Sequence, residues 1–180
     1  MKPIFLERAK ENQTEFEFFR KKIFPIVMIW EGGGKLHKVS GDTGGWTKFG
    51  VAFNYNASHF YSLDDFKNMT EEEAAALAFV NYYLPLKPQF IPCAGTKLYL
   101  FDISYNMGVM KAKKYMQQCI GVNADGIIGK QTEAAMHKLK VDCLHSMRVE
   151  FYKNLGSKAQ YAKFLKGWMN RANDIYKRSI

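Results

Sequence analysis

A helical stripe that ends on three consecutive glycines is the feature that most restricts this chain. Phe16, Phe19, Ile23, Val27 and Trp30 recur at helical spacing, so residues 14–30 read as an amphipathic helix. Pro25 should bend or restart it, because the ring removes a backbone donor. Gly32-Gly33-Gly34 stops it. From Gly32 to Asn56 the chain is rich in Gly, Asp, Thr, Ser and Asn, the composition of loops and short hairpins.

Helical patterning then resumes and fills the rest of the sequence. Thr70-Glu71-Glu72-Glu73 has the form of a capping box ahead of a helix that runs to Tyr83 and stops before Pro85. Thr96 can cap a helix carrying Leu98, Leu100, Phe101, Ile103 and Met107 and closed by Gly108. Its apolar residues run nearly all round, which predicts a central, buried helix. Further helices are expected over 111–120, 132–139, 141–155 and 159–176, with a turn at 121–129. The predicted fold is therefore mainly α, with a short irregular or β-hairpin arm near residues 32–56.

The 180 residues are 47% hydrophobic and 15% aromatic, enough to bury one core or a compact domain with a smaller subdomain. A net charge of +9 attracts polyanions such as nucleic acid, acidic lipid and bacterial wall polymer. The basic residues are dispersed, as at Arg20, Lys21 and Lys22, at Lys111, Lys113 and Lys114, and at Lys177 and Arg178. Each cluster also reads as a solvated helix face. No helix-turn-helix pattern or aromatic RNA-binding signature supports a nucleic-acid partner. Cys93, Cys119 and Cys143 lack metal-ligand spacing and read as buried reduced thiols. His37, His59, His137 and His145 are scattered, so neither a metal nor another cofactor is expected. Glu7, Arg8, Lys10 and Glu11 interrupt the place of a signal-peptide core, and the apolar run 23–30 is too short to span a bilayer. Synthesis in the cytoplasm without stable membrane insertion is the expectation.

Two carboxylates, Glu31 and Asp42, stand on the glycine-rich arm. Glycosidic hydrolysis needs a proton donor at the leaving oxygen and commonly a second carboxylate that stabilises positive charge or activates water. Glu31 follows an apolar helix, beside Trp30 and at the negative end of the helix dipole. Both settings disfavour a carboxylate and should raise its pKa, as a general acid requires. The other reading is a solvated residue before a glycine stop, and Gly41-Asp42-Thr43-Gly44 is also ordinary turn chemistry. Trp46, Phe49, Phe53 and Tyr55 can stack on sugar rings or serve as core.

These residues resemble glycoside hydrolase family 108, the lysozyme-like N-acetylmuramidases of phage endolysins and bacterial secretion-activator proteins. Glu31-Gly32-Gly33 and Asp42-Thr43-Gly44-Gly45-Trp46-Thr47-Lys48-Phe49-Gly50 are similar to its Glu-Gly-Gly and Asp-x-Gly-Gly-x-Thr-x-x-Gly stretches. Gly34 stands where the family places an aromatic residue, the loop 35–41 is longer, and Trp46 replaces an alanine. The second half is similar to the family's peptidoglycan-binding-like region. The matching stretches are Phe101-Asp102 with Asn106-Met107-Gly108, Asp125-Gly126-Ile127-Ile128-Gly129 with Thr132, and Gly167-Trp168 with Arg171.

The resemblance implies a catalytic segment over 1–95 and a peptidoglycan-binding-like helical region over 96–180 packed on it as one compact domain. It implies cleavage of the β-1,4 bond between N-acetylmuramic acid and N-acetylglucosamine, with Glu31 as general acid. Asp42 is the second catalytic candidate, and Thr47, Trp46, Phe49, Asn106 and Arg171 are substrate-binding candidates. Asp102, Asn106 and Asp125 read equally as polar groups that fix local packing. Trp168 and Arg171, one helical turn apart, line a cleft or close the core. The implied partner is bacterial peptidoglycan, reached by a monomer after holin-like or other export to the wall. A lytic transglycosylase and a non-catalytic, secretion-assisting wall-binding module are the rivals.

Overall fold

Phe16, Phe19, Ile23 and Val27 are all buried, and the helix that carries them is broken where Pro25 predicts. Helix α1 (Ile4–Lys10) leads into α2 (Gln13–Phe18), a π-turn over Phe19–Ile23, and α3 (Phe24–Met28). Pro25 offers no amide to the preceding turn, and the Phe24 amide reaches back five residues to the Phe19 carbonyl. The computed structural model describes residues 1–38 and 43–180 and divides the chain into two compact units, Met1–Asn81 and Tyr82–Ile180.

In the first unit the glycine-rich arm is an antiparallel sheet of β1 (His37–Lys38), β2 (Trp46–Lys48) and β3 (Val51–Ala52), in that order. Thr47 lies opposite His37 on one side and Ala52 on the other. Phe49 and Gly50 join β2 to β3 with φ of 52° and 77°. Two left-handed residues are what a tight two-residue hairpin demands, and Phe49 adopts a conformation unusual for a large side chain. Helices α4 (Phe53–Asn56) and α5 (Leu63–Lys67) follow, with the rings of Phe53 and Phe60 packed on Phe66 at 5.3 and 5.1 Å. Helix α6 (Glu71–Ala78) begins at the predicted capping box: the Glu73 amide donates to Thr70 Oγ1, and Glu73 Oε2 accepts from the Thr70 amide. Its alanines 74, 75, 76 and 78 are fully buried, and small side chains allow α1 to pack closely against it.

In the second unit α7 (Ala94–Met107) is central, with Leu98–Ser104 buried on every side. It begins at Ala94 rather than at Thr96 and ends at Gly108. Helices α8 (Val109–Cys119), α9 (Lys130–Ala135), α10 (Val141–Gly156) and α11 (Leu165–Lys177) complete the unit. Buried Gln117 secures the connection after α8. Its Nε2 donates to Asp125 Oδ1 and to the Ile127 carbonyl, and its Oε1 accepts from the Gly126 amide. The Ile127 amide and Gln117 hold the Asp125 carboxyl below its ordinary range.

The cysteine expectation is corrected. Cys119 and Cys143 form a disulfide between α8 and α10, and Cys93 is exposed. Pairing of this kind depends on which helix faces meet, which spacing along the chain does not reveal. Closing a loop between residues 24 apart removes unfolded-chain entropy worth about 3 kcal/mol. Cys143→Ala should lower the unfolding free energy by about that amount, read by urea denaturation. A loss below about 1 kcal/mol would show that the helices hold the unit without the bridge.

Candidate active site

Glu31 sits in the turn that follows α3, not in the helix itself. Both the Glu31 amide (3.2 Å) and the Gly33 amide (2.9 Å) donate to the Met28 carbonyl, which folds Trp30–Gly34 back over the helix end. Gly32 and Gly33 have φ of 73° and 61°, so a side chain at either would strain the turn. A Cβ on Gly34 would lie 2.6 Å from the tip of the Phe49 ring. That ring fills the space a side chain at 34 would occupy, and thereby fastens the Glu31 turn to the β2–β3 hairpin. Glu31 is half-buried.

The hairpin supplies the other candidates. Trp46 is half-buried in β2 with the Lys67 ammonium 5.4 Å above its ring, and Thr47 is the half-buried middle residue of that strand. Lys48 Nζ donates to the Lys67 carbonyl at 2.7 Å, tying β2 to the end of α5. Phe49 is only 8% exposed, so it supports the turn from beneath. Asn54 was not singled out by sequence and proves central to the arm: its amide donates to the Gly44 carbonyl at 3.0 Å and its Nδ2 to the Thr43 carbonyl at 2.7 Å. The hydroxyls of Thr43 and Tyr55 are hydrogen-bonded, and Tyr55, at 69% exposure, presents most of its ring to solvent. Asp42 lies outside the described residues. An opening of about 270 Å³ borders the turn, lined by Met28, Ile29, Gly33, Gly34, Phe49 and Glu71.

The remaining two candidates lie in the second unit. Arg171 is buried, and its Nε and Nη2 donate to Asp102 Oδ1 at 3.0 and 2.8 Å. Arg148, fully buried, brings Nη1 within 2.6 Å of Asp102 Oδ2 from the other side. That approach is an ionic contact, since its angles fall outside hydrogen-bond geometry. One carboxylate on α7 thus serves guanidiniums from α10 and α11. Burial opposes the Arg148 charge most strongly, but Asp102 together with the Tyr152 and Tyr99 hydroxyls outweighs it and holds the guanidinium protonated. Tyr99 and Tyr152 rings flank it at 5.6 and 5.4 Å. Asn106 is exposed at the end of α7, and its Oδ1 accepts from the Tyr152 hydroxyl at 2.7 Å. Sequence reading missed Arg148. The available signal was its place four residues from both Leu144 and Tyr152, on the apolar face of α10.

Among the described residues no group of His, Cys, Asp and Glu side chains could hold a metal, and no helix is long and apolar enough to cross a membrane. Residues 24–108 match the family model described as Glycosyl hydrolase 108, and residues 111–173 match that of a predicted peptidoglycan domain. The solved structure of Brucella abortus SagA is similar at a TM-score of 0.73 and 25% identity, over 93% of this chain and 94% of that one. No curated protein matches the chain. The architecture, mainly helical with a small three-stranded antiparallel sheet, is lysozyme-like.

Proposed function

We propose, from the match of residues 24–108 to the glycosyl hydrolase 108 family model and of residues 111–173 to that of a predicted peptidoglycan domain, that the chain hydrolyses murein glycan. The bond cleaved is the β-1,4 linkage between N-acetylmuramic acid and N-acetylglucosamine, and Glu31 protonates the leaving oxygen. One observation carries this reading: Glu31 stands on a rigid glycine turn that Phe49 locks to the hairpin bearing Trp46 and Thr47. A general acid must be held in one place against its substrate, and a turn fixed at both ends supplies that. Trp46 offers a ring face and Thr47 a hydroxyl to the glycan, with Phe49 beneath them. Asp42 is the proposed partner carboxylate that stabilises charge or activates water. Within the second unit Asn106, exposed at the end of α7, and Arg171, buried against Asp102, are the residues proposed to bind substrate. The protein works as a monomer on the wall after holin-like or other export.

Digestion of purified peptidoglycan with analysis of the new glycan ends tests the reaction. Reducing muramic acid ends are expected. Anhydro-muramic ends would identify a transglycosylase, and wall binding without new ends would identify a non-catalytic module.

A further inference from the structure

Asp142, His145 and Arg148 stand three residues apart along one side of α10, and the imidazole between the two charges joins three helices of the second unit. His145 Nδ1 lies 2.8 Å from the hydroxyl of Tyr99 on α7, and its ring stacks on that of Tyr176 on α11 at 4.2 Å and 14°. The Tyr176 hydroxyl in turn donates to Asp142 Oδ1 at 2.7 Å. Tyr99 is fully buried, His145 and Tyr176 are half-buried, and Asp142 is exposed. The Arg148 guanidinium, also buried, sits 5.6 Å from the centre of the Tyr99 ring. Among the described residues, Tyr99 from α7, Tyr176 from α11, and Asp142 and Arg148 from α10 itself are the titratable and charged groups that face the imidazole.

The protonation of the ring follows from the charge beside it. The guanidinium attracts the Tyr99 oxygen and turns the hydroxyl proton away from itself, toward the imidazole. Burial raises the Tyr99 pKa, so the hydroxyl keeps its proton and donates it. Nδ1 must then accept, which only a neutral ring protonated at Nε2 can do. Burial, together with the Arg148 charge, lowers the His145 pKa from its ordinary 6.5, and Asp142 opposes the shift. We propose that His145 is a pH-sensitive latch with two alternative partners: neutral, it holds the Tyr99 hydroxyl and joins α10 to α7, and protonated, it releases Tyr99 and pairs with Asp142. An imidazolium offers two donors and no acceptor, so it leaves the buried Tyr99 proton unpaired and places a second cation beside Arg148. Asp142 already accepts from Tyr176, so the exchange also displaces the last turn of α11. The opened form binds the proton more readily than the closed one. The latch therefore contributes its full stability above pH 6.5 and loses it as the pH falls below that value. The proposal is independent of Glu31 and of what the second unit binds.

The test follows the imidazole signals of the full chain by NMR from pH 8 to pH 5, alongside amide hydrogen exchange corrected for its intrinsic pH dependence. In the wild type His145 should be protonated at Nε2 at the alkaline end and titrate below 6.5. Amides around Tyr176 should open at least about threefold more at pH 5.5 than at pH 7.5, within the roughly tenfold per pH unit that one proton allows. Tyr99→Phe removes the donor to the neutral ring and should move the His145 midpoint up, whereas Asp142→Asn removes the partner of the cation and should move it down. His145→Gln keeps an acceptor for Tyr99 but cannot titrate, so the acid-dependent opening around Tyr176 should disappear. If that variant fails to fold, Asp142→Asn, at an exposed position, carries the test by shifting the opening to lower pH. His59 lies in the first unit, and burial also lowers its pKa. Its titration should be the same in every variant, which separates its share of the acid response from that of His145. A ring protonated at Nδ1, a midpoint at or above 6.5, a midpoint that Tyr99→Phe leaves in place, or equal opening in wild type and His145→Gln would each overturn the proposal.

Discussion

Glu31→Gln should reduce the release of reducing ends from purified peptidoglycan by roughly a thousandfold, the middle of the range for loss of a general acid. The amide matches the carboxyl in size, so the turn that closes on the Met28 carbonyl keeps its hydrogen bonds. What disappears is the proton available to the leaving oxygen. Wall binding and the urea midpoint should stay as in the wild type. A folded Glu31→Gln protein that cuts at the wild-type rate would remove Glu31 from the reaction.

Asp102→Asn should destabilise the second unit by about 3 to 5 kcal/mol, the usual consequence of breaking a buried ion pair. The substitution leaves two buried guanidiniums, Arg148 and Arg171, with no opposing charge between them. Arg148→Met should cost less, because Asp102 and Arg171 remain as a matched pair and methionine recovers part of the packing. Denaturant unfolding of the two variants measures both. If Arg148→Met proved the more damaging, the Tyr99 and Tyr152 rings around its guanidinium would be the stronger support, and the one-carboxylate account would fail.

Much of the architecture was legible in the sequence because it depends on near neighbours. The Phe16-to-Val27 stripe, the break at Pro25, the Thr70–Glu73 box and the all-round apolar helix before Gly108 are local patterns, and each stands where it was read. The π-turn at Phe19–Ile23 was not legible, since it arises from how a proline-bearing helix settles against its surroundings. The disulfide and the Asp102 cluster join residues 24 to 69 positions apart, and nothing in the spacing marks which of them meet. In the candidate site, Trp46, Thr47 and Glu31 could be named from their motifs. The role of Phe49 beneath the turn could not, because it depends on a left-handed backbone at a position where sequence predicts none.

The contact between Gly34 and Phe49 has a consequence for how such a site can be built. The Phe49 ring fills the volume that a side chain at 34 would need, so the two positions compete for one space. Here the ring comes up from the hairpin, and the position next to the glycine pair is left bare. A variant that moved the aromatic side chain to 34 and emptied 49 would occupy the same volume from the opposite direction. The two positions therefore behave as one adjustable part, whose size is shared between them.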